Sequence, residues 1–128
     1  MPLSMPPAPL EVAERLFAAI TAADIDAVAG LYHPDIVVWH NSDGMEQTGE
    51  DHLLVLRWVS RNIRELRYED VRRSETSAGF VQQHVLRGTA PNGTPIEVPA
   101  CIVCTVESGK ITRLDEYLDA AHTAPLRG

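Results

Sequence analysis

Apolar residues recur at helical spacing near the start of the chain and give way to strand-like alternation after about residue 66. Leu10, Ala13, Leu16, Phe17 and Ile20 share one helical face, and Pro9 with Glu11 and Glu14 makes a suitable helix start. Asp24 is placed to cap a second, short helix with Ile25, Val28, Leu31 and Tyr32 on its apolar side, and Pro34 forbids continuation much past His33. The run from Asp35 to Asn41 is dense in β-branched and aromatic residues and closes on Ser42-Asp43-Gly44, which predicts a short buried strand. Thr48 with Asp51 resembles a capping box ahead of Leu53, Leu56, Val59, Ile63 and Leu66, so the longest helix should run from about Gly49 to Arg64.

Four strands are predicted after it, over residues 67–76, 80–89, 94–107 and 110–119, separated by Ser77-Ala78-Gly79, Pro91-Asn92-Gly93 and Ser108-Gly109. Turns at such short intervals imply antiparallel hairpins. Pro99 cannot donate to a sheet ladder, so a bulge or an edge is expected there. Helices first and a meander afterwards point to an α+β fold, a curved antiparallel sheet wrapped around three N-terminal helices. Such a sheet leaves a cavity, the default place for a small molecule. At 128 residues the chain fits one domain, read here as 9–120, with 1–8 a disordered proline-rich lead and 121–128 a tail.

Charge and composition narrow the function classes. The net charge of −7 disfavours nucleic acid, and no apolar run approaches the roughly 20 residues that span a bilayer, so neither nucleic acid nor membrane is an expected partner. Without a signal-like start, the cytoplasm is the default location. Arg57, Arg61 and Arg64 at helical spacing read as a solvated face. Lys110, the only lysine, lies in a turn that would not desolvate it, which argues against Schiff-base chemistry. Cys101 and Cys104 have C-x-x-C spacing, but in a strand they point to opposite faces and cannot share a metal. No nucleotide, serine-hydrolase or zinc motif occurs, and neither metal nor organic cofactor is implied.

Three distant segments offer polar groups to one cavity. Glu116 alternates with Leu114 and Leu118, and a carboxyl between leucines loses solvation and becomes useful for proton transfer. His84 shares a strand face with Phe80, Gln82 and Leu86, and its imidazole titrates near neutrality. Asn41 ends the first strand, where it could orient a water or a carbonyl, or equally cap the following turn. Trp39, Trp58, Tyr68 and Tyr32 offer flat walls for an apolar ligand, although core filling is the plainer role for Trp58. His40, on the face opposite Trp39 and Asn41, and His33, His52 and His122 are weaker candidates.

The element order, the segment from Tyr32 to Asn41 and the ending from Gly109 to Asp119 resemble the nuclear transport factor 2-like superfamily from about residue 8 to residue 120, and within it SnoaL-like and limonene-epoxide-hydrolase-like proteins. The resemblance implies a cone-shaped, cystatin-like α+β roll and a homodimer formed through the outer sheet face. Trp39 and Asn41 resemble the epoxide hydrolase's aromatic-asparagine pair, with Trp39 replacing a tyrosine, and Glu116 before Tyr117 matches its carboxylate-tyrosine pair. Gln82 and His84 stand where that family carries arginine and aspartate, so the hydrolase's charged centre is not retained. What the resemblance implies is acid/base catalysis without a cofactor on a small apolar terpenoid, steroid or polyketide-like compound: an isomerase, dehydratase, cyclase or epoxide hydrolase. Glu116 and His84 would move protons, and Asn41 and Gln82 would position water or a carbonyl. The rival expectation is a ligand-binding or dimer-forming module without turnover.

Overall fold

The computed structural model describes residues 5–127. Three α-helices precede most of the sheet: α1 (Pro9–Thr21), α2 (Ile25–Leu31) and α3 (Gly49–Asn62). The strands are β1 (Tyr32–His40), β2 (Glu46–Thr48), β3 (Arg64–Glu75), β4 (Gly79–Thr89), β5 (Pro95–Glu107) and β6 (Lys110–Leu118). Helix starts follow their capping chemistry: the Asp24 carboxylate accepts from the Ala27 amide and the Thr48 hydroxyl from the Asp51 amide, both at 3.1 Å. Tyr32, expected at the end of the second helix, opens β1 instead, because the chain turns extended there at φ −88° and ψ 131°.

The six strands form one open sheet in the order β2-β1-β6-β5-β4-β3. Every neighbouring pair is antiparallel except β1 with β6, which run parallel. Two register shifts in β3, between Arg64 and Arg67 and between Glu69 and Arg72, contain Glu65 and Asp70 in left-handed conformations at φ 55° and 54°. Bulges of this kind bend a strand and strengthen its twist, and here they sit in the strand that packs against α1. Pro99 pairs with Val85 of β4, while the β6 ladder begins only at Ala100, opposite Leu118. The proline therefore lies at a local edge on the β6 side.

The core fills the concave side of the sheet. Val12, Leu16 and Val28 from the helices meet Val38, Phe80 and Ile111 from the strands, all fully buried. Ile63, Ile96 and Val98 form a second cluster, against which Leu118 and Leu126 pack. Residues Ala120–Leu126, all but the first assigned from the sequence to a tail, wind into a 3-10 helix started by the Asp119 carboxylate, which accepts from the Ala121 amide. Of the proline-rich lead, residues 1–4 lie outside the described residues; Pro6 and Pro7 lie against Gly109 in the β5–β6 turn. Cys101 and Cys104 are free thiols, the second buried and the first half-buried. The Lys110 ammonium donates to the Gly30 carbonyl. No helix among the described residues is long and apolar enough to cross a membrane.

Candidate functional site

A partly open cavity of about 110 Å³ lies between α1, α3 and the concave sheet face. Leu16, Phe17, Ile20, Leu56, Val59, Ile102 and Leu114 supply apolar wall, and His40, His52, Tyr68 and Glu116 supply its polar groups. Parallel pairing of β1 with β6 sets His40 directly beside Glu116. Their side chains meet, with His40 Nε2 2.9 Å from Glu116 Oε1 and each side chain about one-fifth exposed. The bond to Glu116 raises the His40 pKa above its ordinary 6.5, against an opposing effect of burial, and the charges of Glu116 and Asp43 add to the rise.

His52 enters from the first turn of α3, four residues before the buried Leu56. Its Nδ1 lies 2.7 Å from the Tyr32 hydroxyl, and the two rings stack with 18° between planes. Burial lowers the His52 pKa to about 4, with the His40 charge adding to the fall and Glu116 opposing it, so the imidazole is neutral at physiological pH. Burial also pushes the Tyr32 and Tyr68 phenols far up, so both keep their protons. The His40 and His52 rings are 5.8 Å apart. The site thus combines a carboxylate-imidazole pair, a neutral imidazole and a phenol inside apolar walls.

Glu116 and Tyr68, both singled out from the sequence, line this cavity, as do the weaker candidates His40 and His52; His84, Gln82, Asn41, Trp39, Trp58 and Tyr32 are not in its lining. His84 is buried behind the Phe17 and Tyr68 rings, at centroid distances of 5.5 and 4.7 Å. Arg73 Nε donates to Gln82 Oε1 at 2.6 Å, so the Gln82 amide nitrogen faces His84 Nδ1 at 2.9 Å and donates to it. Neutral His84 then has Nδ1 filled and its hydrogen on Nε2, leaving no lone pair to take a proton. Burial lowers its pKa further, helped by Arg73 and opposed by Glu116. The carboxylate expected to meet His84 is held by His40.

Asn41 Oδ1 accepts from the Leu118 backbone amide at 2.9 Å, and the Asn41 backbone N–H donates to the Glu116 backbone carbonyl at 3.0 Å, tying β1 to β6 just beyond the His40–Glu116 pair. Trp39 lies on the convex face, its ring edge-on to Tyr117 at 5.3 Å. Trp58 is 43% exposed and stands outside the cavity lining. Tyr32 reaches the site only through His52. His40 and His52, the weaker candidates in the sequence, are the histidines that the fold brings to Glu116. A signal existed for His52, since with Leu56, Val59 and Ile63 it continues the inner stripe of α3. None existed for His40, because β1 is apolar on both faces.

The sequence matches the SnoaL-like domain family over residues 13–114. No curated protein matches it. Among solved structures, the fold is shared with a hypothetical protein with a ketosteroid isomerase-like fold from Catenulispora acidiphila, solved in complex with trimethylamine. That pair is 19% identical, with 91% of this chain and 90% of the other covered and a TM-score of 0.78. A candidate polyketide cyclase from Pseudomonas putida is 20% identical, with 91% and 95% covered and a TM-score of 0.79. An NTF2-like protein of unknown function from Burkholderia pseudomallei is 22% identical, with 91% and 95% covered and a TM-score of 0.78. At these identities the likeness establishes the fold and leaves activity open. The family match spans most of the chain and agrees with the open curved sheet: this protein belongs to the SnoaL-like domain family and has the NTF2-like, ketosteroid isomerase-like fold.

Proposed function

We propose that this protein is an acid/base enzyme acting on a small apolar carbonyl compound, in the cytoplasm and as a homodimer. The observation that carries the reading is the His40–Glu116 pair, 2.9 Å apart in the wall of a mostly apolar cavity. In neutral His40, Nε2–H donates to the carboxylate and Nδ1 keeps its lone pair. That nitrogen takes a proton from the carbon next to the substrate carbonyl, and the C–H electron pair moves into the carbonyl to give an enolate. Glu116 stabilises the imidazolium so formed, and returning the proton to another carbon, or loss of a leaving group, completes an isomerisation or a dehydration. The chemistry needs no group beyond these side chains. Epoxide opening is the least supported member of the set, because Gln82 and His84 stand in place of the arginine and aspartate of that reaction.

Exposed Val71, Val103 and Tyr117 support the dimer, at 44%, 37% and 45% exposure. A second reading, ligand binding without turnover, is favoured by cavity size, since about 110 Å³ is below the roughly 300–1,000 Å³ of sites for drug-sized ligands. The test is deuterium incorporation next to the carbonyl of small ketones in D2O, followed by NMR. Catalysis predicts exchange that falls by roughly 10²–10⁴-fold in His40→Ala and Glu116→Gln. Exchange at the wild-type rate in both variants refutes the mechanism, and no exchange over buffer for any bound ketone favours the binding module.

A further inference from the structure

We propose that His52 is a fixed neutral hydrogen-bond donor of this cavity, set by Tyr32 to hold the carbonyl oxygen of a ligand no larger than a single ring. The inference rests on the acid/base reading above and adds a residue and a substrate class to it.

The tautomer follows from hydrogen-bond counting. Buried Tyr32 keeps its proton, and among the described residues its hydroxyl has one side-chain partner, His52 Nδ1 at 2.7 Å. A buried hydroxyl donates where it can, so Nδ1 accepts. Neutral His52 must then carry its hydrogen on Nε2, which has no protein partner among the described residues. His52 lines the cavity and Tyr32 does not, so the edge of the ring that the cavity meets is the one opposite the Tyr32 bond. Nε2 is not among the sealed, unpartnered side-chain atoms, so its N–H is open to water in the cavity, and a ligand oxygen would take that water's place.

The chamber also limits that ligand. An apolar cavity of about 150 Å³ holds benzene, so about 110 Å³ suits a molecule of roughly four or five heavy atoms. Phe17 and Tyr68 meet edge-on at 4.9 Å and wall this chamber off from an open groove between α1 and β3, and a fused-ring compound would have to part them. Four polar groups and apolar walls define a small cyclic or branched ketone. One end of it would be polarised by His52, and an adjacent carbon would be presented to His40.

Butanone and 2-methylbutane, matched in shape at five heavy atoms each, are the probes. In wild-type protein the ketone should bind about tenfold more tightly than the hydrocarbon, and its ¹³C carbonyl resonance should move downfield on binding. His52→Phe should abolish both effects, and His52→Gln, which keeps an N–H donor and an acceptor for Tyr32, should restore them in part. Imidazole ¹⁵N spectra should show His52 in the Nε2–H form, and Tyr32→Phe should release the other tautomer. Equal affinity for the two probes, no binding of either, or an Nδ1–H tautomer in the wild type overturns the proposal. Glu116→Gln separates it from the catalytic reading, because losing exchange while keeping the carbonyl shift is expected only if the two residues act independently. A carbonyl shift without exchange in the wild type sinks the enzyme and leaves His52 as the donor, whereas exchange without the shift does the reverse.

Discussion

Acidification should destabilise this fold through His52 by an amount the structure sets. A histidine ordinarily titrates at 6.5, and burial against Tyr32 and the apolar wall holds this one at about 4. Its folded-state pKa is depressed, so its neutral form contributes stability above 6.5, and that contribution is lost as pH falls towards 4. At pH 4.5 the unfolded chain has almost wholly taken up the proton while the folded chain mostly has not, a difference of about 2–3 kcal/mol. His84, also depressed by burial, acts in the same sense. His40 acts oppositely: its raised pKa stabilises below 6.5 and the effect fades as pH rises through the raised value. Carboxylates protonate in any variant, so the clean measurement is a difference. Urea unfolding of wild type and His52→Gln at pH 7.5 and pH 4.5 isolates it, since glutamine still accepts from Tyr32 and does not titrate. Wild type should lose about 2–3 kcal/mol more than the variant between the two pH values, a relative midpoint shift of about 1–2 M urea. Parallel losses would mean that His52 takes its proton as easily folded as unfolded, and the argument for a neutral donor would fail with it.

The Glu116 contact can be read at its partner: an NMR titration of His40 should give a pKa above 6.5 in wild type and a lower one in Glu116→Gln, because removing the carboxylate leaves burial as the main influence. Asn41→Ala should cost about 1 kcal/mol in chemical unfolding by cutting the β1–β6 strap, with the His40 pKa moving as the pair loosens. Phe80→Ala, at a fully buried position that carries no site chemistry, should cost about 3–5 kcal/mol by calorimetry or denaturant. Gly79→Ala should cost about 1–3 kcal/mol, because a Cβ there would overlap the Cys104 carbonyl oxygen across the β4–β5 ladder; an unchanged midpoint would show that the ladder yields freely.

The fold was legible where local chemistry decides it. Asp24 and Thr48 announce two helix starts, and Gly93 and Gly109 sit in hairpin turns at φ 86° and 77°. The parallel pairing of β1 and β6 was not legible, since the strands lie some 70 residues apart in the chain and no turn between them fixes a direction. β2 escaped notice because three residues, Glu46–Thr48, carry no alternation to read. The bulges of β3 were hidden too, because Glu65 and Asp70 are not the glycines that usually mark a left-handed backbone.

The site was half legible for a related reason. Glu116 declared its face because Leu114 and Leu118 flank it in a strand whose other face carries Arg113, Asp115 and Tyr117. In β1 both faces are apolar, with Ile36 and Val38 inside and Val37 and Trp39 outside, so alternation orders the residues without saying which set is inner. A strand of that kind assigns its polar residue only through its neighbour. Once Glu116 is taken as inward, the β1–β6 register requires His40 to be inward as well, and the side chain set aside from sequence becomes the carboxylate's partner. The pair follows from strand order rather than composition, so any change that slips β1 by one residue would send His40 to the convex face and separate the imidazole from the carboxylate.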